Sequence, residues 1–223
     1  MIEKRICAKK ALEFLDDGMV VGLGSGTTVR EFIKLLSERV RGGMDIEVIP
    51  TSLDTHILAV EYGIKITDLL EHPEPDLCID GADQIDRDFN LIKGGGGALT
   101  REKIVAVTSK KFVVIADESK LAEKLSIPIP VEILPFAIGY VKYRFEKMGF
   151  RLKWREDKGK LRPVISDNGN VIADVDAGVI ENPSEMENLL RIPGVIENGI
   201  FLAGVVDAVV LGRKDGAVVL ENR

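Results

Sequence analysis

Along its first half the chain alternates short apolar runs with stretches of helical period, and this alternation leaves few folds open to it. Met19–Leu23, Ile46–Ile49, Leu77–Ile79 and Phe112–Ala116 are too short for helices. They are apolar enough to be buried on both faces, as the strands of a parallel sheet are. Ile64–Ile66 reads as one more short strand. Between these runs the period changes. Thr28–Val40 sets Val29, Phe32, Ile33, Leu36 and Val40 on one side of a helix, and Ser52–Tyr62 and Ala98–Val107 read as helices too. Ahead of them, Ile2–Leu15 carries Ile6, Ala8, Ala11, Leu12 and Leu15 at helical spacing and stops before Gly18. Strands joined by helical crossovers imply an α/β fold, a doubly wound, mostly parallel sheet with right-handed connections.

The pattern breaks near Ile127. Pro128, Pro130 and Pro135 punctuate an extended segment, Ile127–Leu134, and a helix is expected over Gly139–Met148. Strands are expected at Arg151–Arg155, Val164–Ser166 and Asn170–Val175. The step Asp167-Asn168-Gly169-Asn170 is a hairpin turn, because Asn and Gly tolerate positive φ. Pro183 opens another helix, to Leu190. This is a smaller α+β unit with its own hairpin. Val205–Leu211 and Ala217–Leu220, around Asp215-Gly216, are expected to return to the first sheet.

Composition removes several functions. Thirty Lys and Arg against 36 Asp and Glu give a formal net charge of −6, so the chain lacks the basic face that nucleic-acid binding needs. A small anionic ligand is still allowed, since it responds to the local field of its pocket. No stretch approaches the roughly 20 apolar residues of a membrane span. The opening residues Met1–Arg5 mix charges and run into a helical pattern, so no signal peptide is expected. Cys7 and Cys78 are the only cysteines, far apart, and read as reduced core residues of a cytoplasmic protein.

Three loops carry the chemistry. The first, Gly22-Leu23-Gly24-Ser25-Gly26-Thr27-Thr28, lies between a strand and a helix, where glycine backbone, hydroxyls and the helix N-terminus suit an anion. A dinucleotide turn is disfavoured. Thr27 stands where the third glycine of that fingerprint belongs, and Pro50-Thr51-Ser52 replaces the ribose-binding acid. Phosphate binding and a purely structural tight turn both remain open. The second loop, Asp80-Gly81-Ala82-Asp83-Gln84-Ile85-Asp86, follows a strand. Asp80 and Asp83 either face one pocket or serve as a cap and a solvated turn. Asp86 and Asp88 read as solvent-facing turn residues. No further ligand completes a metal site there. The third loop is Lys93-Gly94-Gly95-Gly96-Gly97, leading into Ala98-Leu99-Thr100-Arg101-Glu102-Lys103. Four successive glycines are costly in backbone entropy and mark a chain that wraps a ligand or turns sharply. Glu102 on the next helix is either an acid–base group or an ordinary first-turn glutamate favoured by the dipole.

Taken in order, GLGSGTT, DGADQID and KGGGGALTREK resemble the signature loops of the type A ribose-5-phosphate isomerase family. The likeness continues through Ile115–Lys120, Pro130-Val131-Glu132, Asp167–Asn170, Pro193-Gly194-Val195 and Asn198-Gly199-Ile200-Phe201, so it covers nearly the whole chain. It implies a Rossmann-like catalytic domain, residues 1–130 plus 203–223, with a small α+β domain, residues 131–202, inserted before the last strands. It also implies interconversion of D-ribose 5-phosphate and D-ribulose 5-phosphate in the non-oxidative branch of the pentose phosphate pathway, through an enediol(ate). Carried over by motif, Glu102 is the base, Asp80 assists ring opening, and Asp83 and Lys93 polarise the oxygens where charge develops. Ser25, Gly26, Thr27 and Thr28, with Gly81, Ala82, Gly94, Gly95, Gly96, Lys120 and Lys4, match substrate-binding positions. The first loop departs modestly, with Ser-Gly-Thr-Thr where many members read Thr-Gly-Ser-Thr. The hydroxyls are kept.

This chemistry needs neither a metal nor a cofactor. A positioned carboxylate can take a proton α to a carbonyl if fixed donors meet the developing oxyanion. His56 and His72 lie outside the three loops and read as surface or satisfied residues. Amino-sugar-phosphate deaminases and coenzyme A transferases share a distantly similar first loop but not the pairing of Asp80 and Asp83 with Lys93 and Glu102. A sugar-phosphate sensor would need a DNA-binding module that the chain leaves no room for. Apolar surface on the tail and second domain leads us to expect a homodimer or homotetramer whose partner is a small sugar phosphate, with no nucleic acid and no membrane.

Overall fold

The computed structural model describes residues 2–157, 159 and 163–222. In chain order its principal elements begin with α1 (Ile2–Ala11), β1 (Val20–Leu23), α2 (Thr27–Arg41), β2 (Glu47–Pro50), α3 (Leu53–Glu61), β3 (Lys65–Ile66) and β4 (Leu77–Asp80). Then come β5 (Gln84–Ile85), β6 (Leu91–Ile92), α4 (Leu99–Thr108), β7 (Phe112–Asp117), β8 (Ile129–Ile133), α5 (Ile138–Lys147) and β9 (Arg151–Trp154). The chain closes with β10 (Val171–Asp176), α6 (Pro183–Leu189), β11 (Val195–Asn198), β12 (Ile200–Phe201), β13 (Ala208–Arg213) and β14 (Gly216–Glu221). Two compact units result: Met1–Ala82 with Arg101–Lys120 and Ala203–Arg223, and Asp83–Thr100 with Leu121–Leu202.

The first unit is built on a seven-stranded sheet in the order β14-β13-β7-β4-β1-β2-β3. Every neighbouring pair from β13 to β3 is parallel, and β14 closes the sheet as an antiparallel hairpin partner of β13. The apolar runs are strands because helices cover both faces. Leu23, Phe32, Ile33, Leu36, Val113, Ile115 and Val210 share one core, and each side chain of that size contributes about 1.5–3 kcal/mol on burial. Two glycines let helices lie close to the sheet. A Cβ on Gly212 of β13 would meet the Glu3 carbonyl of α1, and one on Gly22 of β1 would meet Val105 of α4.

The second unit holds an antiparallel sheet, β11-β8-β10-β9, and a small sheet, β12-β6-β5. Helix α5 buries Val141 and Phe145 among Ile129, Val131, Ile133, Ala173 and Val175. Helix α6 begins as its sequence implies, with Pro183 in its first turn and the Asn182 side chain accepting from the Glu185 N–H at 3.1 Å.

The α/β class and the return of the tail to the first sheet agree with the sequence reading, and the details differ in three places. Among the described residues, Val164–Ser166 makes only one isolated bridge, from Ile165 to Val171, and the preceding Pro163 makes another, to Glu156. Pro163 has no N–H to give a ladder. Residues 203–205 form a 3₁₀ turn, so the penultimate strand starts at Ala208. Strands β5, β6, β11 and β12 were not foreseen. Among the described residues no helix is long and apolar enough to cross a membrane.

Candidate active site

Strands β7, β4 and β1 lie side by side and parallel, so the loops after them leave the same edge of the first unit. Asp80 ends β4 fully buried and binds this edge together. One of its oxygens accepts from the Gly81 N–H at 2.6 Å and from the Ser25 N–H at 3.1 Å. Gly24 has no side chain, and a Cβ there would overlap the Asp80 carboxyl group. The Ser25 hydroxyl lies 2.9 Å from Ser52 Oγ and 3.2 Å from Thr51 Oγ1, while Thr55 Oγ1 donates to the Gly24 carbonyl at 2.7 Å. Gly26, at φ +96°, turns the chain into α2, whose first residues are Thr27 and Thr28. No side chain caps that helix.

Lysines converge on this loop and on the end of β7. Lys4 Nζ donates to Thr27 Oγ1 at 2.7 Å. Asp117 closes β7 and is followed by the turn carrying Lys120. Burial pushes the Asp117 carboxyl upward, but hydrogen bonds from the Ser119 hydroxyl and N–H, with the charges of Lys4 and Lys120, hold it below its ordinary value. Lys4, Asp117, Ser119 and Arg213 line a cavity of about 760 Å³.

Helix α4 connects two parallel neighbours, β4 and β7, so it runs antiparallel to them and starts at their carboxyl edge. Val105 faces Gly22 of β1. Glu102 sits one turn earlier on the same side, 3 % exposed and near the positive end of the helix dipole.

In the second unit the chain around the glycine run is held at several points. Asp83 donates its N–H to the Ile92 carbonyl at 2.8 Å and accepts the Gly95 N–H at 2.7 Å. Lys93 is 2 % exposed, donates its N–H to the Gly199 carbonyl at 2.9 Å and carries its ammonium 5.3 Å from the Phe201 ring centre. Gly94 and Gly97 take φ values of +97° and +80°, which side chains rarely adopt. Arg155 donates to the carbonyls of Gly94 and Gly95 at 2.7 and 3.0 Å. Fully buried Glu132, on β8, accepts from Thr100 Oγ1 at 2.5 Å, from Ser166 Oγ at 2.7 Å and from Asn170 Nδ2 at 2.8 Å. It thereby ties the 166–170 turn to Thr100.

The structure gathers Lys4, Ser25, Gly26, Thr27, Thr28, Asp80, Gly81, Ala82, Glu102 and Lys120 in the first unit. It places Asp83, Lys93, Gly94, Gly95 and Gly96 in the second. One expectation needs correction. Asp86 is a turn residue but does not face solvent: it is 7 % exposed, and its carboxylate accepts from the Asp88 and Asn90 N–H groups and from Asn90 Nδ2. Both cysteines are buried and unbridged. His56 is exposed, and His72 lies 3.3 Å from Glu47. Among the described residues no three His, Cys, Asp or Glu side chains cluster as metal ligands would.

Residue-by-residue reading overlooked Ser52, Thr55, Glu132 and Arg155. Ser52 after a strand was a legible helix N-cap, and its side chain accepts from the Thr55 N–H. Glu132 stood out only as a charge inside an apolar strand, and nothing local marks Arg155.

Comparison with known proteins follows the same lines. A family model described as ribose 5-phosphate isomerase A (phosphoriboisomerase A) matches residues 47–216. Ribose-5-phosphate isomerase A of Archaeoglobus fulgidus is 54 % identical over 214 residues, 94 % of this chain and 95 % of its own. The protein of that name from Methanothermobacter thermautotrophicus is 49 % identical over 220 residues, covering 97 % and 96 %. Among solved structures, ribose 5-phosphate isomerase A from Methanocaldococcus jannaschii superposes with a TM-score of 0.93 at 43 % identity, over 98 % of both chains. A D-ribose-5-phosphate isomerase in complex with phospho-erythronic acid gives 0.94 at 42 % identity, over 98 % of this chain and 97 % of its own.

Proposed function

The chain belongs to the ribose 5-phosphate isomerase A family, and from that premise we propose that Glu102 carries the reacting proton while Asp80, Asp83 and Lys93 manage charge on the sugar oxygens. The enzyme interconverts D-ribose 5-phosphate and D-ribulose 5-phosphate, a step of the non-oxidative branch of the pentose phosphate pathway.

The reaction needs one proton moved between neighbouring carbons and one moved between their oxygens. Oxidation at C2 is balanced by reduction at C1, so no external electron acceptor enters the scheme. Asp80 assists opening of the furanose ring. Glu102 takes the proton from C2 of the open aldose and returns it to C1. Between those events charge rests on an enediolate, which Lys93, Asp83 and the N–H groups of Gly94–Gly96 meet with fixed donors and a shared proton. Ser25, Gly26, Thr27 and Thr28, with the uncapped start of α2, Lys4 and Lys120, hold the phosphate, while Gly81 and Ala82 lie along the sugar. Phospho-erythronic acid, bound by a relative, pairs a phosphate with a carboxylate and so resembles the charge pattern of the intermediate. A homodimer or homotetramer working in the cytoplasm completes the reading.

One observation carries the assignment. Glu102 is a buried carboxylate on the first turns of the helix that starts at the edge shared by Asp80 and the hydroxyl-rich loop. Glu102→Gln keeps the shape and removes the base. It should retain ribose 5-phosphate binding while turnover falls by at least about a hundredfold. Unchanged turnover would take Glu102 out of the base role.

A further inference from the structure

We infer that Arg155 is a positioning residue for the isomerisation: from the far side of the glycine run it sets the orientation of two peptide groups. The inference rests on the reading above, in which the glycine run presents N–H donors to the substrate; the Gly95 N–H is given to Asp83, so the donor that Arg155 sets for the substrate is the Gly96 N–H.

The geometry is that of a clamp. Arg155 follows β9, 61 positions along the chain from Gly94. Its Nη1 donates to the Gly94 carbonyl at 2.7 Å and the Gly95 carbonyl at 3.0 Å. Its other edge is held by Asp174 of β10, with Nε on Oδ2 at 3.0 Å and Nη2 on Oδ1. The guanidinium is planar and its two edges are fixed relative to each other. Asp174 therefore decides where the donors aimed at the glycines point.

A trans peptide group directs its C=O and the following N–H oppositely. The first of the two groups displays this: its Gly94 oxygen faces Arg155 and its Gly95 N–H reaches Asp83 at 2.7 Å. The second group has its Gly95 oxygen on Arg155, so the Gly96 N–H is turned away from Arg155. Gly95 and Gly96 are exposed. The first group is held also by the Gly97 N–H, which donates to the Gly94 carbonyl at 2.9 Å, so Arg155 matters most at the second, where a glycine peptide whose oxygen is released rotates easily because no Cβ resists it. Donors that must meet an oxyanion without reorganising are worth most when something else holds them. Arg155 does so without touching substrate, and its cost falls in the transition state, when charge has developed.

The test compares Arg155→Ala, Arg155→Lys, Asp174→Asn and Glu102→Gln, each as the full chain. In Arg155→Ala, kcat should fall by about a hundredfold with KM within about threefold of the parent. Phospho-erythronic acid, titrated calorimetrically, should bind at least about tenfold more weakly, and inorganic phosphate equally well. A cavity of about 390 Å³, lined by Lys153, Trp154, Glu156 and Asp157, borders the Arg155 side chain, so a free guanidinium ion can reach the vacated place. Guanidinium chloride at about 20 mM should recover roughly tenfold in kcat for Arg155→Ala; potassium chloride should not, and Glu102→Gln should respond to neither. Arg155→Lys and Asp174→Asn, which keep bulk and guard against a variant that fails to fold, should lose about tenfold each. Arg155→Ala turning over within about threefold of the parent would overturn the inference. So would a loss that guanidinium leaves untouched while phospho-erythronic acid binding is intact, because that is what a merely structural ion pair predicts. If Arg155→Ala does not fold, parental turnover in both conservative variants overturns it. Retained turnover in Glu102→Gln would instead strike the base assignment alone.

Discussion

The carboxyl group of Asp80 fills the space that a side chain on Gly24 would need. The backbone at Gly24 imposes no positive φ, so alanine there is excluded by its methyl group and not by the chain's conformation. Gly24→Ala should push Asp80 away from the N–H groups of Ser25 and Gly81. The expected result is a stability loss of about 1–3 kcal/mol in urea unfolding and a fall of at least about tenfold in kcat/KM for ribose 5-phosphate. Full activity in a folded Gly24→Ala protein would mean that the placement of Asp80 is not needed.

Lys4 reaches the hydroxyl-rich loop through Thr27, and a group that grips phosphate binds substrate and transition state alike. Lys4→Met should therefore raise KM about tenfold and leave kcat within about twofold. Steady-state kinetics over a wide ribose 5-phosphate range decides the matter, since a drop confined to kcat would place Lys4 at the reacting carbons instead.

Much of this architecture was legible because parallel strands covered on both faces have to be apolar throughout. Val20–Leu23 and Phe112–Ala116 announced themselves, as did the glycines that follow the first of them. Strands β5, β6 and β12 have two residues each, too few to show any period. β11 buries only Asn198 of its four residues and is interrupted by a bulge between Val195 and Glu197. The site divides along the same line. Glycine, serine and aspartate in loops after strands carry their purpose in local sequence, whereas the hold of Arg155 on Gly94 depends on a contact between distant segments that no window of sequence contains.

Asp76 gives a test in acid. Its carboxylate accepts from the Lys110 ammonium at 2.7 Å and from the Val20 N–H at 2.9 Å, at the start of β1. These contacts, that of Lys110 foremost, hold its pKa below the ordinary 3.8. A carboxyl group with a pKa lower in the folded than the unfolded state adds stability above its unfolded pKa, and loses it as pH falls through the folded one. Asp76→Asn should thus melt below the parent at neutral pH, and the two melting curves should draw together as the pH is taken beneath 3.8. A gap that persisted in acid would assign the difference to packing of the amide rather than to charge.

The partners of Glu132 are hydroxyl and amide groups on Thr100, Ser166, Asn168 and Asn170, and water is shut out around it. Mobile ions weaken exposed pairs such as Arg87 with Glu123 or Lys124 with Glu181, but they do not penetrate a dry contact. Concentrated brine therefore slackens the rim of the second unit first. The knot of Glu132 with Thr100 and the 166–170 hairpin outlasts that change, so the inside of this unit keeps its shape across a wide span of ionic surroundings.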